Sequence, residues 1–154
     1  MNYLDKRIVY KEVPNEICLA FSISNCQFRC EGCHSPQLRD NVGEKLSIME
    51  IIKSISKTGC TCVLFLGTGN RDYKLLNNYA HIIKGFGYKT AIYMGEDELP
   101  EEVKKKYWDY IKLGHYDKNK GPITSETTNQ RMFKVEYSKR GYTLEDITYK
   151  FWTK

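Results

Sequence analysis

Three cysteines fall within eight residues, Cys26, Cys30 and Cys33 in Asn25-Cys-Gln-Phe-Arg-Cys-Glu-Gly-Cys-His34, shortly after the mostly apolar run 17–23. A short apolar run of this kind reads as a buried strand, so one loop at the end of one strand delivers all three thiols. The C-x3-C-x2-C spacing gathers soft ligands and suits iron–sulfur better than a hard cation. Electron-shuttling clusters are usually held by four thiolates, so three leave one iron open to another ligand. Two other readings stand beside this one. A structural zinc site closes with four ligands, and His34, directly following Cys33, is awkwardly placed to reach the same ion. Cysteines packed as small apolar residues fit poorly with Gln27, Arg29 and Glu31 in the same loop.

Strand-like and helix-like patterns alternate along the rest of the chain. Residues 7–13 predict a first strand or the arm of an edge hairpin, turned at Pro14-Asn15 into the buried strand 17–23. Ser47-Ile-Met-Glu50 has the spacing of a capping box and predicts a helix to about Lys57. Residues 61–67 predict a second buried strand, and 72–84 a helix closed by Gly85 and Gly87. A third strand is expected over 88–94, a short helix over 101–107, a fourth strand over 110–113 and a fifth over 132–137, with 144–151 ambiguous. Alternation of this kind predicts a mostly parallel sheet with right-handed crossovers. In such sheets ligands sit beyond the carboxyl ends of the strands. The cysteine loop, the Gly67-Thr-Gly-Asn70 turn and the Gly114-His-Tyr116 loop all belong on that rim.

With 154 residues and 41% hydrophobic content, the chain suits one α/β domain, residues 1–154. A complete eight-stranded α/β barrel needs roughly 250 residues, so any barrel must be partial. The net charge of +5 is mild and no long basic block marks a nucleic-acid arm; Lys104-Lys105-Lys106 read as the exposed face of a short helix. The aromatic residues are more simply packing than a stacking platform, so no nucleic-acid partner is expected. The start of the chain lacks a signal-peptide pattern and no apolar run approaches the ~20 residues of a membrane span. A cytoplasmic protein with no membrane partner is the expectation, and clustered cysteines there point to metal or catalysis before disulfides. Cys18, Cys60 and Cys62 read as core residues, the last two on one face of one strand. His81 and His115 carry no ligand assignment.

The cysteine spacing resembles the signature of the radical S-adenosylmethionine enzymes. Three further segments narrow the likeness: Asp109-Tyr-Ile-Lys-Leu-Gly-His-Tyr116, Gly121-Pro-Ile-Thr-Ser-Glu-Thr-Thr-Asn-Gln-Arg131 and Leu144-Glu-Asp-Ile-Thr-Tyr-Lys-Phe-Trp152. They look like the small activating proteins of anaerobic ribonucleoside-triphosphate reductase, and the likeness runs from about Ile17 to the C-terminus. It implies a partial (βα) barrel of the radical SAM type, a [4Fe-4S] cluster on Cys26, Cys30 and Cys33, and S-adenosyl-L-methionine on the open iron. An electron donor such as flavodoxin or ferredoxin would then drive reductive cleavage of the cofactor. The resulting radical would activate a backbone glycine in the large subunit of the anaerobic ribonucleotide reductase.

The resemblance also implies cofactor contacts. Gly67-Thr-Gly-Asn70 stands where related enzymes carry a Gly-Gly-Glu or Gly-Gly-Asp turn that receives the cofactor's amino group. Thr68 departs from that pattern, which leaves the acceptor open among Thr68, Gly69 and Asn70, with an ordinary strand-to-helix turn as the bland alternative. Gly32 and His34 would flank the adenine around Cys33. Lys112 would pair with the cofactor carboxylate or else face solvent, and Asn129, Gln130 and Arg131 would meet ribose or the partner. Rival functions are activation of another glycyl radical enzyme, a small radical SAM enzyme acting on a peptide and, more remotely, a zinc-binding interaction module.

Overall fold

Alternation along the central strands sorts their side chains onto two faces of one sheet, and each face has its own core. A computed structural model describes residues 1–152; positions 153 and 154 of the expected domain lie outside the described residues. The elements are β1 (Asn2–Val9), β2 (Cys18–Ile23), β3 (Glu44–Lys45), α1 (Ile48–Ser56), β4 (Cys62–Leu66), α2 (Tyr73–Gly85), β5 (Lys89–Tyr93), β6 (Tyr110–Leu113), β7 (Arg131–Ser138) and β8 (Gly141–Asp146). They form an α/β architecture with a single eight-stranded sheet in the order β3-β1-β2-β4-β5-β6-β7-β8.

Leu19, Phe21, Ile23, Val63, Phe65, Ile92 and Ile111 point to the face covered by α1 and α2, whose Ile51, Ile55, Leu76, Ala80 and Ile83 complete the larger core. Cys18, Ala20, Cys62, Leu64, Ala91, Tyr110 and Met132 point to the other face, which is closed by Val13, Ile123 and Ile147. Fully burying each of these aliphatic side chains contributes roughly 1.5–3 kcal/mol. In α2 the spacing Tyr73, Leu76, Asn77, Ala80, Ile83 places the buried residues on one stripe. Asp72 caps its start by accepting the Leu75 amide, and Gly87, at φ 89°, turns the chain out beyond its end.

The mostly parallel sheet expected from the alternation is corrected. Only β2-β4, β4-β5 and β5-β6 are parallel, whereas β1-β2, β1-β3, β6-β7 and β7-β8 are antiparallel. The connection 10–17 is too short for a parallel crossover, which takes about a dozen residues or more. At the other side, β7 and β8 are joined by a tight hairpin at residues 139–140, with Gly141 at φ 97°. The parallel quartet is therefore flanked by antiparallel ribbons.

Several boundaries shift for local reasons. The first strand starts at Asn2 and ends at Val9 rather than spanning 7–13; its exposed, charged middle hides the strand pattern. The helix expected over 101–107 reduces to a 3-10 turn at Lys105–Tyr107. The ambiguous C-terminal stretch divides into β8 and a 3-10 turn at Thr148–Phe151. At Ser47 only half of the capping box forms. Its hydroxyl accepts the Glu50 amide at 3.2 Å, but the Glu50 carboxylate turns to Lys6, Tyr3 and Ser54 instead. Among the described residues no helix is long and apolar enough to cross a membrane.

Candidate functional site

The parallel strands β2, β4, β5 and β6 all end at one edge, so the loops that follow them share a rim. The cysteine loop is tied to its neighbours mainly through the backbone. Asn25 N–H donates to the Asp40 carbonyl at 3.0 Å and Cys26 N–H to that of Leu38 at 2.8 Å, while Gln27 N–H reaches the Gly69 carbonyl in the loop after β4 at 3.1 Å. Arg39 donates through Nη2 to the Cys30 carbonyl at 2.7 Å. The loop after β6 grips the far side: the Tyr116 ring lies 4.9 Å from the His34 ring and Lys118 pairs with Glu31 at 2.6 Å. Strands β2 and β6 lie three positions apart in the sheet, yet their loops meet across the rim.

Cys26, Cys30 and Cys33 are free thiols, each half-buried, whereas Cys18, Cys60 and Cys62 are free and buried in the core. Burial pushes the Cys26 thiol above its ordinary value, and the neighbouring Cys30 and Cys33 add to the rise. Metal binding by this thiol therefore displaces a proton. The Ser35 amide donates to the Cys33 sulfur at 3.4 Å, a hydrogen bond of the kind that tunes cluster potentials. A single tetrahedral zinc ion would need thiolates about 3.8 Å apart, given Zn–S bonds of about 2.3 Å. Among the described residues no group of three or more His, Cys, Asp or Glu side chains is gathered to hold a metal ion. Three half-buried thiols thus share one loop, and one of them receives an amide hydrogen bond.

The glycine turn after β4 serves the cysteine loop directly. Gly67, at φ 67°, lies where a Cβ would sit 2.8 Å from Leu38 and 2.9 Å from the Ile23 carbonyl oxygen. A Cβ on Gly69 would collide with the Cys26 sulfur and approach the Phe28 ring at 3.0 Å. Thr68 is buried, and its hydroxyl donates to the Tyr93 carbonyl at 2.7 Å. Asn70 accepts the Asp72 amide at 3.4 Å and lines a polar pocket with Asn25 and Asn41. The missing side chain at Gly69 thus makes room for Cys26 and Phe28. Gly32 has φ 74°, and the space beside it holds Tyr116 and Lys118, each 3.4 Å from where its Cβ would be.

Lys112 lies on the sheet face opposite the helices, beside Met132 in register. Its ammonium sits 4.2 Å from the centre of the Tyr93 ring and forms no ion pair or hydrogen bond among the described residues. Burial pushes its pKa down to about 8, which leaves a desolvated cation at the carboxyl end of the parallel strands. Asn129 and Gln130 turn to the loop after β6, donating to the carbonyls of His115 at 3.1 Å and Gly114 at 3.3 Å. Arg131 lies over the Trp152 ring and 3.8 Å from Asp146.

Sequence reasoning passed over Phe28, Gly95, Arg71 and Arg39. Phe28, midway between Cys26 and Cys30, seats its ring against Gly95, where a Cβ would lie 3.0 Å away. Arg71 lies over the same ring, 4.7 Å from its centre, while pairing with Glu96 at 3.1 Å. A glycine after each of two adjacent parallel strands was the available signal, since it marks close approach by another segment.

Fold and loop together define an α/β protein that carries a three-thiol loop at the carboxyl edge of the parallel part of its sheet. Comparison with protein-family models, curated proteins and solved structures found no match to this chain.

Proposed function

We propose that this chain is a radical S-adenosylmethionine activase, with the large subunit of an anaerobic ribonucleotide reductase as its partner. The observation that carries the reading is the loop of three free, half-buried thiols at the carboxyl edge of four adjacent parallel strands. When bound, a [4Fe-4S] cluster and S-adenosyl-L-methionine supply a carbon radical able to take hydrogen from a backbone glycine.

In this reading Cys26, Cys30 and Cys33 hold the iron. Lys112 offers an unpaired ammonium to the cofactor carboxylate, and its desolvated position strengthens that attraction. The turn 67–70, Gly32 and His34 line the approach, with Gly67 and Gly69 fixing the loop that presents the thiols. The Cys26–Phe28–Gly95 packing keeps solvent from one side of the loop. The sequential order of β2, β4, β5 and β6, with both helices packed on one face, supports a partial (βα) barrel. Its open side suits a protein substrate, which would complete the cover over the radical. A cytoplasmic setting with a flavodoxin or ferredoxin donor fits chemistry that requires reduced thiols and a low-potential electron.

Anaerobic reconstitution with iron and sulfide tests the reading. The expected product is brown, binds about four irons and S-adenosyl-L-methionine, and loses both properties in Cys26→Ala, Cys30→Ala and Cys33→Ala. A colourless protein carrying one zinc and ignoring the cofactor would overturn it.

A further inference from the structure

Arg39 ends the 3-10 turn Pro36–Arg39 that carries the chain back from the cysteine loop. One end of its guanidinium is fixed, with Nη2 donating to the Cys30 carbonyl at 2.7 Å. The Nε–H is buried and meets no acceptor among the described residues. Two other cations at the loop are paired: Lys118 with Glu31 at 2.6 Å and Arg71 with Glu96 at 3.1 Å. Arg39 forms no ion pair among the described residues.

A half-buried cation without a counter-charge, with one donor unpartnered, is unfavourable. Buried polar groups in folded proteins almost always have a partner, so an orphan marks a place where something else completes the set. Holding the Cys30 carbonyl uses one N–H and does not require the rest of the guanidinium. Its bond to the Cys30 carbonyl holds the guanidinium against the loop that carries the three thiolates, whose negative charge, with their iron, would supply such a partner. Cluster potentials respond to net charge and to hydrogen bonds at sulfur.

We propose that Arg39 is the counter-charge of the cluster held by Cys26, Cys30 and Cys33, favouring its reduced, more negative state and gaining a partner for its Nε–H when the site is loaded. Arg39 is thus a positioning and tuning residue, acting on the potential at which the cluster accepts one electron. The inference rests on the iron–sulfur reading above.

The test is a dithionite titration of the anaerobically reconstituted protein, without S-adenosyl-L-methionine, followed by electron paramagnetic resonance. Iron is counted in every sample. Arg39→Gln should keep its iron and become at least tenfold harder to reduce at a given potential, a shift of about 59 mV for one electron. Arg39→Lys, which keeps the charge, should stay nearer to the wild-type potential. An unchanged potential in Arg39→Gln, or equal shifts in the two variants, would overturn the inference. If Arg39→Gln fails to take up iron, Arg39→Lys decides: loading near the wild-type potential supports the role of charge. A Lys variant that also stays empty, or that shifts tenfold, makes Arg39 a structural hook. Wild-type protein that takes up no iron fails differently, because it removes the iron–sulfur reading itself.

Discussion

The Gly69 backbone passes so close to the Cys26 sulfur that a Cβ at position 69 would fall well inside van der Waals contact. The Gly69 carbonyl also accepts the Gln27 amide at 3.1 Å, so the turn after β4 and the cysteine loop after β2 form one unit. Gly69→Ala should therefore displace Cys26, costing about 1–3 kcal/mol in thermal or denaturant unfolding and lowering iron uptake. Gly59→Ala is the matched control, because nothing lies within 4 Å of its Cβ position, and it should stay within about 0.5 kcal/mol of wild type. Equal iron loading in the two variants would show that the contact does not hold the thiol.

Phe28 is the loop's apolar anchor. Removing its ring in Phe28→Ala should open the Gly95 side of the loop, destabilise the fold by roughly 1–3 kcal/mol and expose Cys26. In metal-free protein the alkylation of Cys26, read by mass spectrometry, should accelerate several-fold, with Phe28→Leu intermediate. An unchanged rate in Phe28→Ala would mean that the ring shields nothing.

The core cysteines should behave differently from the loop cysteines. Cys18 and Cys62 face each other in register between β2 and β4, both fully buried. The hydrogen bond with Cys18, reinforced by burial, pushes the Cys62 thiol far above its ordinary range, so it stays protonated. Cys62→Ala should lose about 1–3 kcal/mol while retaining all its iron. Iron loss like that of Cys30→Ala would place Cys62 in the site.

Much of this was legible in the sequence because apolar residues at strand and helix spacing leave few alternatives. β2, β4, β5, β6 and α2 stand within one or two residues of where the pattern puts them. Of the antiparallel flanks, only the edge hairpin ahead of β2 was legible, and its first arm sits earlier in the chain than the pattern put it. The exposed charged stretch of β1 carries no apolar alternation, and the antiparallel return after β6 depends on tertiary pairing over residues 114–130. At the site, the cysteines announced themselves by spacing. The roles of Phe28 and Arg39 depend on which loops meet across the rim, and no local pattern encodes that. Glycine positions in the turn after β4 were readable as close approaches, but not what approaches them.

Lys112 gives the protein a pH signature. Its folded pKa of about 8 lies below the ordinary 10.5 because burial disfavours the ammonium. Between those values the unfolded chain holds a proton that the folded protein has released, so the Lys112 contribution to stability rises with pH across this window. Below about pH 8 both states are protonated and the buried charge is a fixed cost, so Lys112→Met should be more stable at pH 7 and show a flatter rise. A carboxylate ligand pairing with the ammonium reverses the preference. Affinity for S-adenosyl-L-methionine should fall between pH 7 and 9 by up to roughly tenfold more in wild type than in Lys112→Met. Identical pH profiles in calorimetric titrations of the two proteins would remove Lys112 from the ligand site.

The most direct measurement mixes the reconstituted protein with the anaerobic reductase, S-adenosyl-L-methionine and a low-potential reductant under strict anaerobiosis, and records the electron paramagnetic resonance spectrum. A glycyl radical doublet on the reductase is expected, absent with Cys26→Ala, Cys30→Ala or Cys33→Ala. Cofactor cleavage without a reductase radical, alongside activation of a different glycyl radical protein, would contradict the partner assignment. Intact cofactor in the presence of reduced, iron-loaded protein would contradict the proposed chemistry altogether.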